Sequence, residues 1–302
     1  MNLARAKLIP LPICGIILSF FGLGMFFKDI TPLGFGIFTS VGLLLIAMLF
    51  LKVFLFRKET LKDLESPIIL GTSGTLPMAV MMLAVFLKDF SFELGLAVWF
   101  LAFLVHVVLI AYFTKEHILN FEMELVYTNY FVVFIGIGMG AITGAGFNLD
   151  VLVDGIFIFS FVSMVVLLVL VSYRYFKVPI EDHTFKPLVC IYAAPFSLIL
   201  CAFIQTTLTK SMDFIIALYI LSIVFYIFGL IKAMEYIRLP FFPTFAAFTF
   251  PFVISATATK QVNNLVNVDL GILLLVQIAI AIAIVAYVLA QYIYFIITAP
   301  YS

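Results

Sequence analysis

Ten apolar stretches run along this chain, at approximately 10–27, 33–55, 67–87, 93–113, 126–147, 151–173, 187–208, 213–234, 241–260 and 270–298. Each approaches the ~20 residues that a helix needs to cross a hydrocarbon core. No Asp, Glu, Lys or Arg lies in the middle of any of them. Water cannot solvate such a pattern. The chain is 65% hydrophobic and 11% charged, whereas about a quarter of a soluble domain is charged. The expectation is an all-α integral membrane protein of ten transmembrane helices, with residues 1–302 forming a single transmembrane domain. Arg5 and Lys7 followed by apolar residues imitate a signal peptide. Pro10 and Pro12 interrupt that pattern, so it reads as a retained first helix.

Several function classes fall away. The formal net charge is +0, which leaves no basic footprint for nucleic acid. Cys14, Cys190 and Cys201 lie in apolar stretches without metal-ligand spacing, so they read as packing residues. Neither a metal nor a cofactor is expected. There is no His-Glu-x-x-His, no phosphate-loop lysine motif and no Gly-x-Ser-x-Gly elbow. Asn148-Leu-Asp150-x-x-x-Asp154 superficially resembles the aspartate motif of membrane prenyltransferases. It has no second copy and sits at a short turn, where it reads as a solvated helix-end cluster. The chain is not expected to be an enzyme.

Charge between the stretches sets an orientation. With the N-terminus inside, the inner segments carry Arg5, Lys7, Lys52, Arg57, Lys58, Lys62, Lys115, Arg174, Lys177, Lys186, Lys232 and Arg238. The outer ones carry Lys28, Lys88, Lys210 and Lys260. This bias predicts a multi-pass protein of the cell (plasma or inner) membrane with both termini cytoplasmic.

Prolines enter the odd-numbered stretches at Pro12, Pro67, Pro187 and Pro243, in steps of 55, 120 and 56 residues. The middle step is two units, so a hairpin of about 55–60 residues repeats five times. Prolines deep inside a stretch occur at Pro77, Pro195 and Pro251, all in odd stretches; the fifth uses a glycine run, Gly136 to Gly146. A mid-helix proline kinks the helix and frees the carbonyl four residues earlier, here on Ser73, Ile191 and Ala247. Two readings stand: odd helices that line a pathway, and small residues that let helices pack closely. On the first, the wall is mildly polar and uncharged, with Gly15, Ser73, Gly138, Ser197, Thr249 and Ser255 among its candidates. His106 is the only titratable residue at membrane depth, and it reads as a packed, hydrogen-bonded side chain. Proton-coupled carriers usually place carboxylates or histidines at that depth. The composition therefore leans toward passive permeation.

The ninth stretch, Phe245-Ala-Ala-Phe-Thr-Phe-Pro-Phe-Val-Ile-Ser-Ala-Thr-Ala258, resembles the tellurite-resistance/dicarboxylate-transporter family. That family includes the bacterial TehA proteins and the plant guard-cell slow anion channels. Pro10-Leu-Pro-Ile-Cys-Gly15, Glu65-Ser-Pro67 and Lys186-Pro187 to Pro195 fit the same pattern. The resemblance implies five helical hairpins around a quasi-fivefold pore, odd helices inner and even helices outer. It implies a homotrimer with a pore in each subunit. It implies that Phe250, before the ninth-helix proline, plugs the pore. The partners it implies are the lipid bilayer and small anions: chloride, nitrate and, for some members, dicarboxylates. The alternative within the same fold is a carrier or exporter of C4-dicarboxylate, sulfite or tellurite.

Overall fold

The computed structural model describes residues 3–266 and 268–299. The regular structure among those residues is all helix, without a strand. Five even segments are long continuous helices: segment two, Pro32–Leu55; four, Phe92–Phe113; six, Asp150–Lys177; eight, Met212–Tyr236; ten, Gly271–Thr298. Segment four runs on through a π turn, Thr114–Ile118. Eight of the ten segments, including all five even ones, are long and apolar enough to cross a membrane. Segment one is a shorter apolar helix, Ile13–Phe27. Segment nine changes helix type part-way.

The even segments present one buried stripe and an apolar outer face. In segment four the buried residues are Gly95, Trp99, Ala102, His106 and Phe113. In segment eight they are Ile215, Leu218, Ser222, Tyr226, Gly229 and Ala233. This three-to-four spacing is the inward face of a helix. The opposite faces expose Leu101, Val108, Ile220 and Val224, as hydrocarbon permits. Small residues let the backbones meet. A Cβ on Gly95 would stand 2.8 Å from the Lys88 backbone nitrogen, and one on Gly229 would stand 2.8 Å from Ala193 Cβ. Trp99 fixes the contact between four and five: its Nε1 donates to Thr143 Oγ1 at 2.8 Å.

The odd segments are different: none of three, five, seven and nine is one continuous helix. Segment three is Pro67–Ser73 and Thr75–Lys88, parted at Gly74. Segment five is Asn129–Phe134 and Gly138–Gly144, ending in a short 3-10 turn, Ala145–Phe147. Segment seven opens as a 3-10 helix, His183–Ala193, and continues as Pro195–Gln205. Segment nine opens as Pro243–Phe248 and continues as Phe250–Asn263. The sequence predicted prolines that kink continuous helices. The structure corrects this: Pro195 and Pro251 start the second helix, in its first two positions. A proline there sacrifices no hydrogen bond, because the first-turn N–H has no helical partner. The carbonyl of Ile191 is not free either; it accepts the Ala194 N–H at 2.9 Å.

Each odd segment packs on the even segment that follows it. The odd segments also pack on one another in order: one on three, three on five, five on seven, seven on nine, and nine on one. The first and last described segments meet at one end, the terminal end, where Arg5 donates to the Ile296 carbonyl at 2.6 Å. All three cysteines are buried and free.

Segment five breaks without a proline, and the local bonds show how. The Gly136 N–H reaches back to Phe131 O at 3.0 Å, one residue beyond the normal helical partner. A Cβ on Gly136 would lie 2.1 Å from Val132 O and 2.8 Å from Met78 Sδ. Gly36, on segment two, has open space around it. Gly136→Ala is therefore expected to lower stability by about 3 kcal/mol or more, in the range that strained backbone and overpacking produce. Gly36→Ala is expected to fall within about 0.5 kcal/mol of the parent. Thermal unfolding in detergent measures both.

Candidate functional site

The breaks in the odd segments surround a hollow. It holds about 60 Å³, room for a few water-sized particles. Its wall includes Pro12 and Gly15 from segment one, and Thr72, Thr75 and Met78 from segment three. Phe131, Ile135 and Gly136 come from segment five, and Ile191, Ala194, Pro195 and Leu198 from segment seven. Ala246, Ala247, Phe250 and Pro251 come from segment nine. Every lining residue belongs to an odd segment or its approach, and none is charged.

A second, wider hollow of about 500 Å³ adjoins it at the end that holds the termini. The two share Pro12 and Thr244. Lys7, Lys52, Asp63, Ser66, Thr184, Phe185 and Phe242 line this vestibule. Lys52 is buried there, donating to Ile9 O at 2.6 Å and to Asp63 Oδ2 at 2.9 Å. At the edge, the Thr184 N–H holds the Asp182 carboxyl below the usual carboxylate range. The path thus narrows from a charged vestibule into an uncharged neck.

Backbone supplies the polarity of the neck. Thr75 Oγ1 donates to Thr72 O at 2.8 Å, and Thr72 Oγ1 donates to Ile68 O at 2.9 Å. With those protons committed, the hydroxyls offer little to an ion. The N-terminal ends of Thr75–Lys88, Pro195–Gln205 and Phe250–Asn263 reach the cavity wall. A helix start carries partial positive charge. The ends of the preceding short helices, at Thr72, Ile191 and Ala247, bring partial negative charge to the same wall, so the neck carries backbone dipole ends of both signs.

Phe250 opens the second helix of segment nine, directly after Thr249 at φ −94°, ψ −78°. Its ring lies toward segment one: Cε2 is 3.5 Å from where a Cβ on Gly22 would sit. Its neighbours are held by other rings. Phe245 packs on Phe241, Phe242 and Phe248, and Phe252 on Tyr226. Phe250 has no ring partner among the described residues.

Of the expected lining residues, Gly15, Pro195, Phe250 and Pro251 are in the cavity wall. The other six point elsewhere, each for a physical reason. Pro77 is buried in the first turn of Thr75–Lys88. A Cβ on Gly138 would meet Leu198 Cδ2 at 2.6 Å and Ser160 Oγ at 3.2 Å, so this glycine serves helix contact. Ser73 donates to Leu70 O at 2.7 Å. Thr249 donates to Ala246 O at 2.7 Å. Ser197 and Ser255 face each other at 3.1 Å and join segments seven and nine. Met78, Phe131 and Leu198 line the cavity with no polar or turn signal to mark them. Gly136 had one, in the glycine run.

His106 is held as the sequence suggested. Its Nε2 lies 2.9 Å from Val133 O, so Nε2 carries the proton and donates. Val133 stands just before the break in segment five, where regular helical bonding stops. This buried histidine thus serves the broken backbone of its neighbour. Asp150 and Asp154 begin segment six, and Asp154 Oδ1 accepts the Thr207 N–H at 2.8 Å. Among the described residues no group of three His, Cys, Asp or Glu side chains is placed to hold a metal.

The SLAC1 family model, described as a voltage-dependent anion channel, matches residues 10–296. A comparison with curated proteins returned no match.

Two substitutions check the site. His106→Phe leaves the Val133 carbonyl buried without its donor, so a loss of about 1–3 kcal/mol is expected. Ser197→Ala and Ser255→Ala, combined in a double-mutant cycle, are expected to show coupling of about 0.5–1.5 kcal/mol. Thermal unfolding of the four proteins measures it.

Proposed function

We infer the function from one premise: this chain belongs to the voltage-dependent anion channel family, the family of the tellurite-resistance/dicarboxylate transporters. It is a multi-pass membrane protein of a family of anion channels and transporters. Its finer role, on our reading, is passive conduction of small anions such as chloride and nitrate. The odd segments form the pathway and the even segments shield it, as five hairpins about a quasi-fivefold axis. Phe250 is the gate. Three copies assemble, each with its own pore, in the cell membrane, with both termini and the vestibule facing the cytoplasm.

One observation carries this reading. The narrow cavity is lined by odd segments alone, holds no charged side chain, and has Phe250 and three helix starts in its wall. An apolar ring in the wall of a neck this narrow disfavours water and raises a dewetting barrier to ions. Pro251 follows at once, so the ring can shift with little backbone cost. A C4-dicarboxylate carrier would need an arginine clamp. The wall has none.

Phe250→Ala is expected to raise chloride conductance in planar bilayers by about tenfold or more, a factor that a barrier lowered by ~1.4 kcal/mol supplies. An unchanged current in a folded variant would sink the gate assignment. Saturable counterflow of labelled malate, with no current, would establish the carrier instead.

A further inference from the structure

At the end opposite the termini, three lysines repeat one arrangement on different segments. Lys88, the last residue of segment three, donates to the Gly146 carbonyl at the end of segment five and stands 5.7 Å from the Phe147 ring centre. Lys260, late in segment nine, donates to Phe26 O in the last turn of segment one at 2.8 Å and stands 5.1 Å from the Phe26 ring. Lys210, just beyond segment seven, donates to Phe203 O and Thr206 O, both at 2.5 Å, and stands 4.8 Å from the Phe203 ring. Each ammonium sits on the last carbonyls of an odd segment, against a phenyl ring. Lys28 at the same end is occupied by Asp89 at 2.6 Å.

The arrangement answers a problem that the fold creates. The odd segments all run the same way, so their C-terminal ends gather at one mouth. A helix end carries about half a negative charge. The five even-segment starts at this end carry roughly +2.5 on the more exposed outer helices, and the five odd ends place roughly −2.5 charges on the inner ring around the exit. That would repel the ions that the helix starts inside attract. Three ammoniums offset the ends of segments one, five and seven, with Asp29 near Lys260 and Asp154 near Lys210 drawing on part of that charge. The acids of this end lie mainly on other elements. Glu93, Asp150 and Asp213 are exposed in the first turns of even segments. Asp154 takes Thr207, Asp269 takes the Gly271 N–H at 2.8 Å, and Asp29 is exposed in the loop after segment one.

We propose that Lys88, Lys210 and Lys260 form a charge-compensating collar that makes the far mouth passable to anions. The three are specificity-determining residues for anion permeation. This rests on the channel reading above, and the test separates the two.

The test uses the Phe250→Ala background, in which current is expected to be large. Lys88→Gln, Lys210→Gln and Lys260→Gln are combined, and the matching triple Lys→Arg variant is the charge-retaining control. With symmetric dilute chloride in planar bilayers, the Gln triple is expected to rectify. Current carried by anions entering from that mouth should fall by about three- to tenfold, a factor of the size that electrostatic focusing supplies. The difference should shrink near 1 M salt, where the screening length is ~3 Å. The Arg triple should keep the parental current. Equal currents in folded Gln and parent channels would overturn the collar and leave the lysines as helix caps, with the channel reading intact. No anion current in the parent would overturn both. If the triple does not fold, Lys210→Gln alone, on an exposed loop, must show a smaller rectification of the same sign; its absence would equally overturn the proposal.

Discussion

Backbone hydrogen bonding in hydrocarbon governs this structure. A peptide group facing lipid must be satisfied within its own helix, because no water is there to replace a lost partner. The five even segments obey strictly: each is continuous, with apolar side chains facing outward. Only behind them do the odd segments interrupt their helices, at Gly74, around Gly136, at Ala194 and at Thr249. The interruptions are repaired locally. Ala194 bonds to Ile191 in 3-10 fashion, and His106 donates to Val133 from the neighbouring helix.

The same broken helices give the interior its electrical character. The vestibule is lined by Lys7, Lys52 and Asp63, while the neck has no charged side chain and its polarity comes from backbone dipoles. Second helices that begin at the cavity aim their positive ends at it, and their negative ends gather at the exit. On the proposed reading, this single chain direction makes the middle favourable to anions and the exit unfavourable. Lysines bonded to the exit carbonyls are proposed to offset the second effect without disturbing the first.

Much of this was legible in the sequence, because charge and helix-breaking residues are the costliest things to place in lipid. The all-helical membrane character, eight of the ten expected spans and the special character of the odd segments follow from where Lys, Asp and Pro are tolerated. The meaning of the prolines was not legible. Pro195 and Pro251 look like kinks in a string of letters, but the preceding 3-10 stretches make them helix starts. Nor does sequence tell which polar group faces a hollow. Ser197, Ser255 and Thr249 are of the right type and depth, yet their hydroxyls join helices, while Met78 and Leu198 line the neck unmarked. The even segments hid their inward stripes because lipid makes the opposite face apolar too. Phe250 stood out from 36 phenylalanines through family resemblance rather than local pattern.

The central claim is that an uncharged neck selects anions through helix ends. The reversal potential of the purified wild-type protein in a planar bilayer, under a potassium chloride gradient, tests it most directly. The account predicts a reversal potential near the chloride equilibrium value that moves further toward it as ionic strength falls. A value at the potassium equilibrium potential would contradict it.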